Sequence, residues 1–244
     1  MKQPFLKVVY MKNINDIKHA LYINLETRLD RKVLVEQEFM ELGINIDRYN
    51  AVKLPNNNIN SSALGCSISH LNCIRKAKEN NWPHVLICED DIQFLEPSLF
   101  VKQLNIFLSN QESWDVILLA GNNMLPYCSI DNSCIKVMNC LTTTGYIVAN
   151  HYYEILINNY EEGIKKLMSN PNEITKYAID KYWIKLQRIH DWFLITPLSV
   201  IQRENYSDIE NKITNFKDNM LNYNKVVRKV LEKDENPIAF SLVD

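Results

Sequence analysis

Three adjacent acids, Glu89-Asp90-Asp91, close the apolar run His84-Val85-Leu86-Ile87-Cys88. Carboxylates this close repel, and each raises the pKa of the next. A divalent cation is an economical way to offset that repulsion. Mg2+ and Mn2+ take carboxylate oxygens together with substrate phosphates. Alternation along an extended segment puts Glu89 and Asp91 on one side and Asp90 on the other. Glu89 and Asp91 could then face a metal diphosphate while Asp90 contacts a sugar hydroxyl or a backbone donor. An isolated acidic triplet is more often a solvated loop or a helix cap. Its place after a strong apolar strand brings the functional reading level with that bland one.

The sulfur and imidazole groups say less. Cys66, His70 and Cys73 lie close in sequence, but no fourth ligand sits nearby, so a structural zinc site is not expected. Cys66, Cys73 and Cys88 read as small buried hydrophobes. Cys128, Cys134 and Cys140 recur every six residues. An odd set of three with no secretory signal pattern favours reduced thiols and a reducing, cytoplasmic setting. A lone helical histidine such as His70 is more often packed than ligating.

The elements that must hold these groups can be read from periodicity. Ala20 to Leu25, His84 to Cys88 and Trp114 to Leu119 read as buried strands, with weaker candidates at 44–49, 135–137, 146–149, 193–195 and 200–201. Thr27 with Asp30 resembles a helix N-cap, and Leu29, Val33, Phe39, Met40 and Leu42 follow a helical spacing that Gly43 would stop. Further helices are expected over 64–80, 94–108, 152–159 and part of 174–187. The charged stretch 208–233 is helical in pattern. Strands alternating with helices predict an α/β fold with a mostly parallel central sheet flanked by helices. Ligands of such sheets bind beyond the carboxyl ends of strands, which points to 24–31, 89–91 and 120–123.

Composition excludes several classes. The 244 residues carry 46% hydrophobic and 23% charged side chains and a formal net charge of -2, so no bulk basic surface recommends a nucleic-acid partner. No apolar run is long enough to span a bilayer. Only 5 glycines are present, against 30 asparagines, so Gly-rich phosphate loops are not available. The Asn, Ile and Lys bias suits an AT-rich genome, bacterial or viral; a viral origin would place the chain in host cytoplasm.

Several segments, taken in order, resemble glycosyltransferase family 25, which includes lipopolysaccharide β-galactosyltransferases and procollagen galactosyltransferases. They are Tyr22-Ile23-Asn24-Leu25 with Arg28 and Asp30-Arg31, Gly65-Cys66-Ser67-Ile68-Ser69-His70-Leu71, Leu86-Ile87-Cys88-Glu89-Asp90-Asp91, Trp114 to Leu119, Thr143-Thr144-Gly145-Tyr146, the late Asp180, and Pro197-Leu198 with Gln202 and Ser207-Asp208-Ile209. The usual Pro-Val-Asp is Ala178-Ile179-Asp180 here. The resemblance implies a GT-A-like domain over 1–210 with a helical tail over 211–244. It implies a metal-dependent enzyme that transfers galactose from UDP-galactose with inversion, to a glycan or a collagen-like protein. It casts Glu89, Asp91 and Gln202 as ligands of Mn2+ or Mg2+, with His190-Asp191 a weaker rival for the third ligand, and Asp180 as general base. Asn24, Leu25, Arg28, Arg31, Ser69, His70, Asp90, Thr144, Gly145 and Tyr146 would line the donor site. Arg203 could neutralise leaving-group charge. The shortage of glycine then has a reason, since a cation rather than a glycine loop would hold the diphosphate.

Overall fold

A computed structural model describes residues 11–55, 61–207 and 212–225. The chain runs β1 (Ala20–Asn24), α1 (Leu29–Glu41), β2 (Asp47–Asn50), α2 (Ser61–Glu79), β3 (His84–Glu89), β4 (Ile92–Phe94), α3 (Pro97–Asn110), β5 (Val116–Leu118), β6 (Asn122–Asn123), β7 (Tyr127–Ser129), β8 (Cys134–Val137), β9 (Cys140–Leu141) and β10 (Gly145–Ala149). It continues through α4 (Tyr153–Ser169), the short α5 (Ile174–Tyr177), α6 (Ile179–Tyr182) and α7 (Ile184–Gln187), then β11 (Trp192–Ile195), β12 (Val200–Gln202), β13 (Asn205–Ser207), β14 (Lys212–Thr214) and α8 (Lys217–Met220).

The main sheet has eight strands in the order β2-β1-β3-β10-β5-β11-β8-β7. The pairings make six strands run one way, with β10 and β8 opposed. This is the expected α/β architecture. Strand alternation splits the core between two faces. Ala20, Tyr22, Leu86, Cys88, Ile117, Ile147 and Phe193 point to the face covered by Phe39 of α1 and Phe100, Leu104 and Phe107 of α3. Leu21, Ile23, Val85, Ile87, Tyr146, Val148 and Leu194 point to the face covered by Leu71 and Ile74 of α2 and Leu156 and Tyr160 of α4.

Several local expectations are corrected. Thr27 is not the N-cap of α1; Arg28 holds that place without a side-chain cap. Two apolar stripes compete on α1, and the sheet takes Val35, Phe39 and Leu42, leaving Leu29, Val33 and Met40 exposed. Gly43 does end the segment, at φ +69°. Phe94 belongs to β4 and α3 begins at Pro97, because proline lacks the N–H that a first helical turn does not use. The stretch 174–187 breaks into three short helices, with extended backbone at Ala178. In the tail, 212–214 is a strand paired with β13 rather than helix. Residues 208–211 and 226–233 of that expected helix lie outside the described residues. The tail reaches the sheet domain through Met220, whose sulfur accepts from the Gln202 N–H, and through the Tyr223 carbonyl, which accepts from Asn123 Nδ2.

Candidate active site

Neighbouring strands β1 and β3 run parallel in a register that pairs Ile23 with Glu89. The residues just beyond, Asn24 and Asp90, therefore meet at the carboxyl edge of the sheet. Asn24 Nδ2 donates to Asp90 Oδ2 at 2.7 Å and to the Arg28 carbonyl at 3.0 Å. One amide thus fastens the acidic strand end to the turn before α1. Leu25 shapes that turn, its carbonyl accepting from the Arg28 N–H at 2.9 Å.

The two arginines divide their work. Arg28 turns to Asp30, with contacts of 3.0 and 2.8 Å at the exposed start of α1. Arg31 enters the site: its Nη1 lies 2.8 Å from Asp90 Oδ1 and 3.5 Å from Asp91 Oδ2, with all three side chains nearly buried. The expected alternation of the triplet does not hold. The strand ends at Glu89 and a turn follows, so Asp90 and Asp91 share Arg31 while Glu89 faces the Thr143 hydroxyl, which donates to it, and His70.

Electrostatics follow the geometry. Burial pushes the Asp91 carboxyl up to about 7, and the charges of Glu89 and Asp90 push the same way, against Arg31 and the Gln202 amide. Burial also raises Asp90 above the usual carboxylate range despite Arg31 and Asn24. Glu89 is raised by burial, but its neighbours His70, Thr143 and Arg31 outweigh that and hold it below its ordinary value. Gln202, placed by the pairing of β12 with β4, donates from Nε2 to Asp91 Oδ2 at 3.0 Å. Asp91 Oδ1 is buried without a hydrogen-bond partner. An acceptor oxygen in that state, beside two further carboxylates and one guanidinium, fits a cation. Glu89 and Asp91 can supply oxygens; both Asp90 oxygens are engaged by Asn24 and Arg31.

The remaining expected residues fall into two groups. Asp180, on α6, accepts from the Thr142 N–H at 3.1 Å and lies 3.7 Å from Lys181 Nζ. Its charge, with that of Glu89, adds to burial in raising the Cys66 thiol. Thr144 lends its carbonyl to the Glu89 N–H at 3.0 Å. Gly145 gives β10 its close approach: a Cβ there would sit 2.7 Å from Ile92 Cδ1. Tyr146 is core, lying near-parallel to His70 and edge-on to Trp183. Ser69 is spent on structure, donating to the Gly65 carbonyl at 2.7 Å and accepting from the Val52 N–H at 2.8 Å.

Three further readings are corrected. Asp191 pairs with Lys136 at the start of β11, the opposite end of the sheet from the triplet, so His190-Asp191 is not part of this site. Arg203 turns to Glu38 of α1, and only its N–H approaches the acids, donating to the Asp91 carbonyl at 2.6 Å. Cys66, read as a buried hydrophobe, is only partly buried and sits within 4.8 Å of ligand atoms of His70 and Glu89, and Thr143, quoted only within a motif, is a direct partner of Glu89.

Fold and site together define an α/β protein whose ligand edge is an arginine-braced carboxylate cluster beyond parallel strands. Residues 53–186 match the model of glycosyltransferase family 25 (LPS biosynthesis protein), more than half of the chain. The chain belongs to that family. A glycosyltransferase 25 family member of Anopheles gambiae is 24% identical over 191 residues, 68% of this chain and 31% of that one. The chain thus spans about a third of the length of that curated relative. Among solved structures, a mannose-1-phosphate geranyltransferase from Thermus thermophilus aligns over 76% of this chain and 74% of its own, at 10% identity and TM-score 0.40. A glycosyltransferase involved in glycosylating the major capsid of PBCV-1 aligns over 73% and 91%, at 13% identity and TM-score 0.38. A Drosophila β-1,4-galactosyltransferase 7 mutant, complexed with manganese, UDP-Gal and xylobiose, aligns over 57% and 52%, at 14% identity and TM-score 0.35. Among the described residues, no helix is long and apolar enough to cross a membrane.

Proposed function

We propose that this chain is a metal-dependent, inverting glycosyltransferase of GT-A type that moves galactose from UDP-galactose to an acceptor hydroxyl. The observation that carries the reading is Asp91: a buried carboxylate with one unpartnered oxygen, held by Arg31 and Gln202 at the sheet's carboxyl edge. Membership of the family supports a transferase.

In this reading Glu89 and Asp91, with Gln202 bracing Asp91, hold Mn2+ or Mg2+. That ion supplies Lewis-acid stabilisation of the diphosphate leaving group. Asn24 and Arg31 fix Asp90, which meets the donor sugar or ribose. Leu25 and Arg28 border the uridine side, and Thr144, Gly145, Tyr146 and His70 form the wall behind Glu89. Ser69 acts from beneath, by tethering α2 to the segment after β2. Asp180, held as an acceptor by the Thr142 N–H, takes the proton of the attacking hydroxyl. The acceptor oxygen bonds to the anomeric carbon, and the sugar–phosphate bond breaks with its electron pair leaving on UDP. Much of the rate would come from holding the hydroxyl in line.

Two acceptors go into the test. Composition leans toward hydroxylysine of a collagen-like protein, while the family's description as an LPS biosynthesis protein favours a lipooligosaccharide sugar. Six free thiols accord with a reducing, cytoplasmic setting. The tail beyond 210 is proposed as an appendage to the transferase domain.

The experiment is UDP release from a panel of UDP-sugars with Mn2+, with and without a hydroxylysine peptide or a lipooligosaccharide acceptor. Release from UDP-galactose with one acceptor is expected, and Asp91→Ala should lose Mn2+-dependent donor binding. No release from any donor, or donor binding retained in Asp91→Ala, overturns the proposal.

A further inference from the structure

Helix α2 presents a thiol and an imidazole one turn apart, Cys66 and His70, spaced i and i+4 on one face. Glu89, the last residue of β3, reaches the same point from the sheet. One ligand atom of each, sulfur, ring nitrogen and carboxylate oxygen, lies within 4.8 Å of the others.

The state of His70 is the second observation. The ring is wholly buried. Its Nδ1 is 2.8 Å from the Tyr146 hydroxyl, which fixes the ring's orientation. Its Nε2 has no hydrogen-bond partner and faces Glu89 Oε1 at 3.6 Å, beyond hydrogen-bond range. A buried polar atom without a partner costs free energy. Here it points at a carboxylate and a thiol. A ring held at one nitrogen by a hydrogen bond, with the other nitrogen aimed at further donors, is the usual arrangement of a ligating histidine.

We propose that Cys66, His70 and Glu89 form a binding site for a borderline-soft divalent cation of the Zn2+ class. The donor set matches: thiolate, imidazole and carboxylate are all zinc ligands, and three protein ligands leave a fourth position open. Hard cations favour an all-oxygen set, which the carboxylates of Asp91 and Glu89 offer instead. The Glu89 side chain is 25% exposed, so solvent reaches the cluster from that side. Binding releases the Cys66 thiol proton to solvent as the sulfur–metal bond forms. Because Glu89 serves both sets, a cation held here withdraws Glu89 from the diphosphate side.

The test uses the full, reduced chain and Co2+ as a spectroscopic probe, followed by Zn2+ competition. Wild type should give a thiolate-to-cobalt charge-transfer band that one equivalent of Zn2+ abolishes. Cys66→Ser should lack the band and bind Zn2+ about 100-fold or more weakly, a larger loss than the roughly 10–100-fold typical of outer-shell changes. Cys128→Ser, at an exposed thiol, should keep the band. No band in wild type, a band that survives Cys66→Ser, or one that vanishes in Cys128→Ser overturns the proposal. A second measurement needs no variant. Zn2+ should slow maleimide alkylation of Cys66 in wild type tenfold or more, read by peptide mapping, and an unchanged rate overturns it.

Discussion

Replacing Asp91 with Asn should make the metal-free protein more stable at neutral pH while removing a carboxylate that the site requires. The folded carboxyl titrates at about 7 against an ordinary 3.8, because it is buried beside Glu89 and Asp90. A shift of about three units corresponds to roughly 4 kcal/mol between the two charge states, at about 1.36 kcal/mol per unit. The sign follows from proton counting. Between the two values the folded state holds a proton that the unfolded state has released, so stability falls as pH rises through that window and levels off above the upper value. Asn is neutral throughout, and its amide oxygen can still accept from Gln202. Arg31 loses a partial anionic partner, so we take half of the full figure, about 2 kcal/mol, as the gain at pH 8. For a chain of this size that is a rise of about 4–8 °C in Tm. Near pH 4 the folded carboxyl is protonated and the unfolded one is only partly ionised, so little of the penalty has developed and the gain should shrink to about 1 °C or less. The assay is thermal unfolding in excess chelator at pH 4, 6 and 8. Added Mn2+ should then raise Tm for wild type and not for the variant. An equal or lower Tm for the variant at pH 8, or a gain that ignores pH, refutes the account of Asp91 as a buried, repelled carboxylate.

Other consequences are more local. Asn24→Ala leaves Asp90 Oδ2 short of a buried donor and should cost about 1–3 kcal/mol in urea unfolding; a cost below about 0.5 kcal/mol removes Asn24 as the clamp between β1 and β3. Gly145→Ala puts a methyl 2.7 Å from Ile92 Cδ1 and 3.4 Å from Leu119 Cδ1. It should destabilise by about 1–3 kcal/mol through overpacking, and a neutral result would show that Ile92 has room to move. Asp180→Asn should leave UDP-sugar affinity unchanged, read by calorimetry, while transfer falls about 10²–10⁴-fold; undiminished transfer sends the base assignment elsewhere.

What the sequence made legible divides along a physical line. Strands β1, β3 and β5 were readable because burial on both faces leaves near-continuous apolar runs. The acidic edge was readable because β3 ends abruptly in charge. The wiring of the site was not, because it depends on where turns begin. Alternation fails at Asp90 because the strand stops at Glu89, so two acids meet Arg31. The choice between Arg28 and Arg31 turns on the start of α1. A helix rotates about 100° per residue, so starting it at Leu29 rather than one residue sooner changes which arginine faces the sheet. Arg28, outside the helix at φ -101° and ψ 62°, swings to Asp30 instead.

The same limit explains Cys66 and His70. Their i,i+4 spacing is visible in the sequence, where Cys73 stands nearest to them as the third donor and no fourth lies close by. Cys73 packs into the core two turns further along α2, on nearly the same face as Cys66 but about 10 Å away along the helix axis. The third donor is Glu89, nineteen residues beyond His70, and what delivers it is the packing of α2 beside β3 together with the turn that frees the strand's last side chain. Local spacing can propose two ligands on a helix face. Which strand end comes to meet them is decided by the order of strands in the sheet. Because β3 lies between β1 and β10, its terminal carboxylates are offered at once to Arg31 from the β1 side and to Thr143 from the β10 side. That one placement is why a single acidic triplet can serve two different sets of partners.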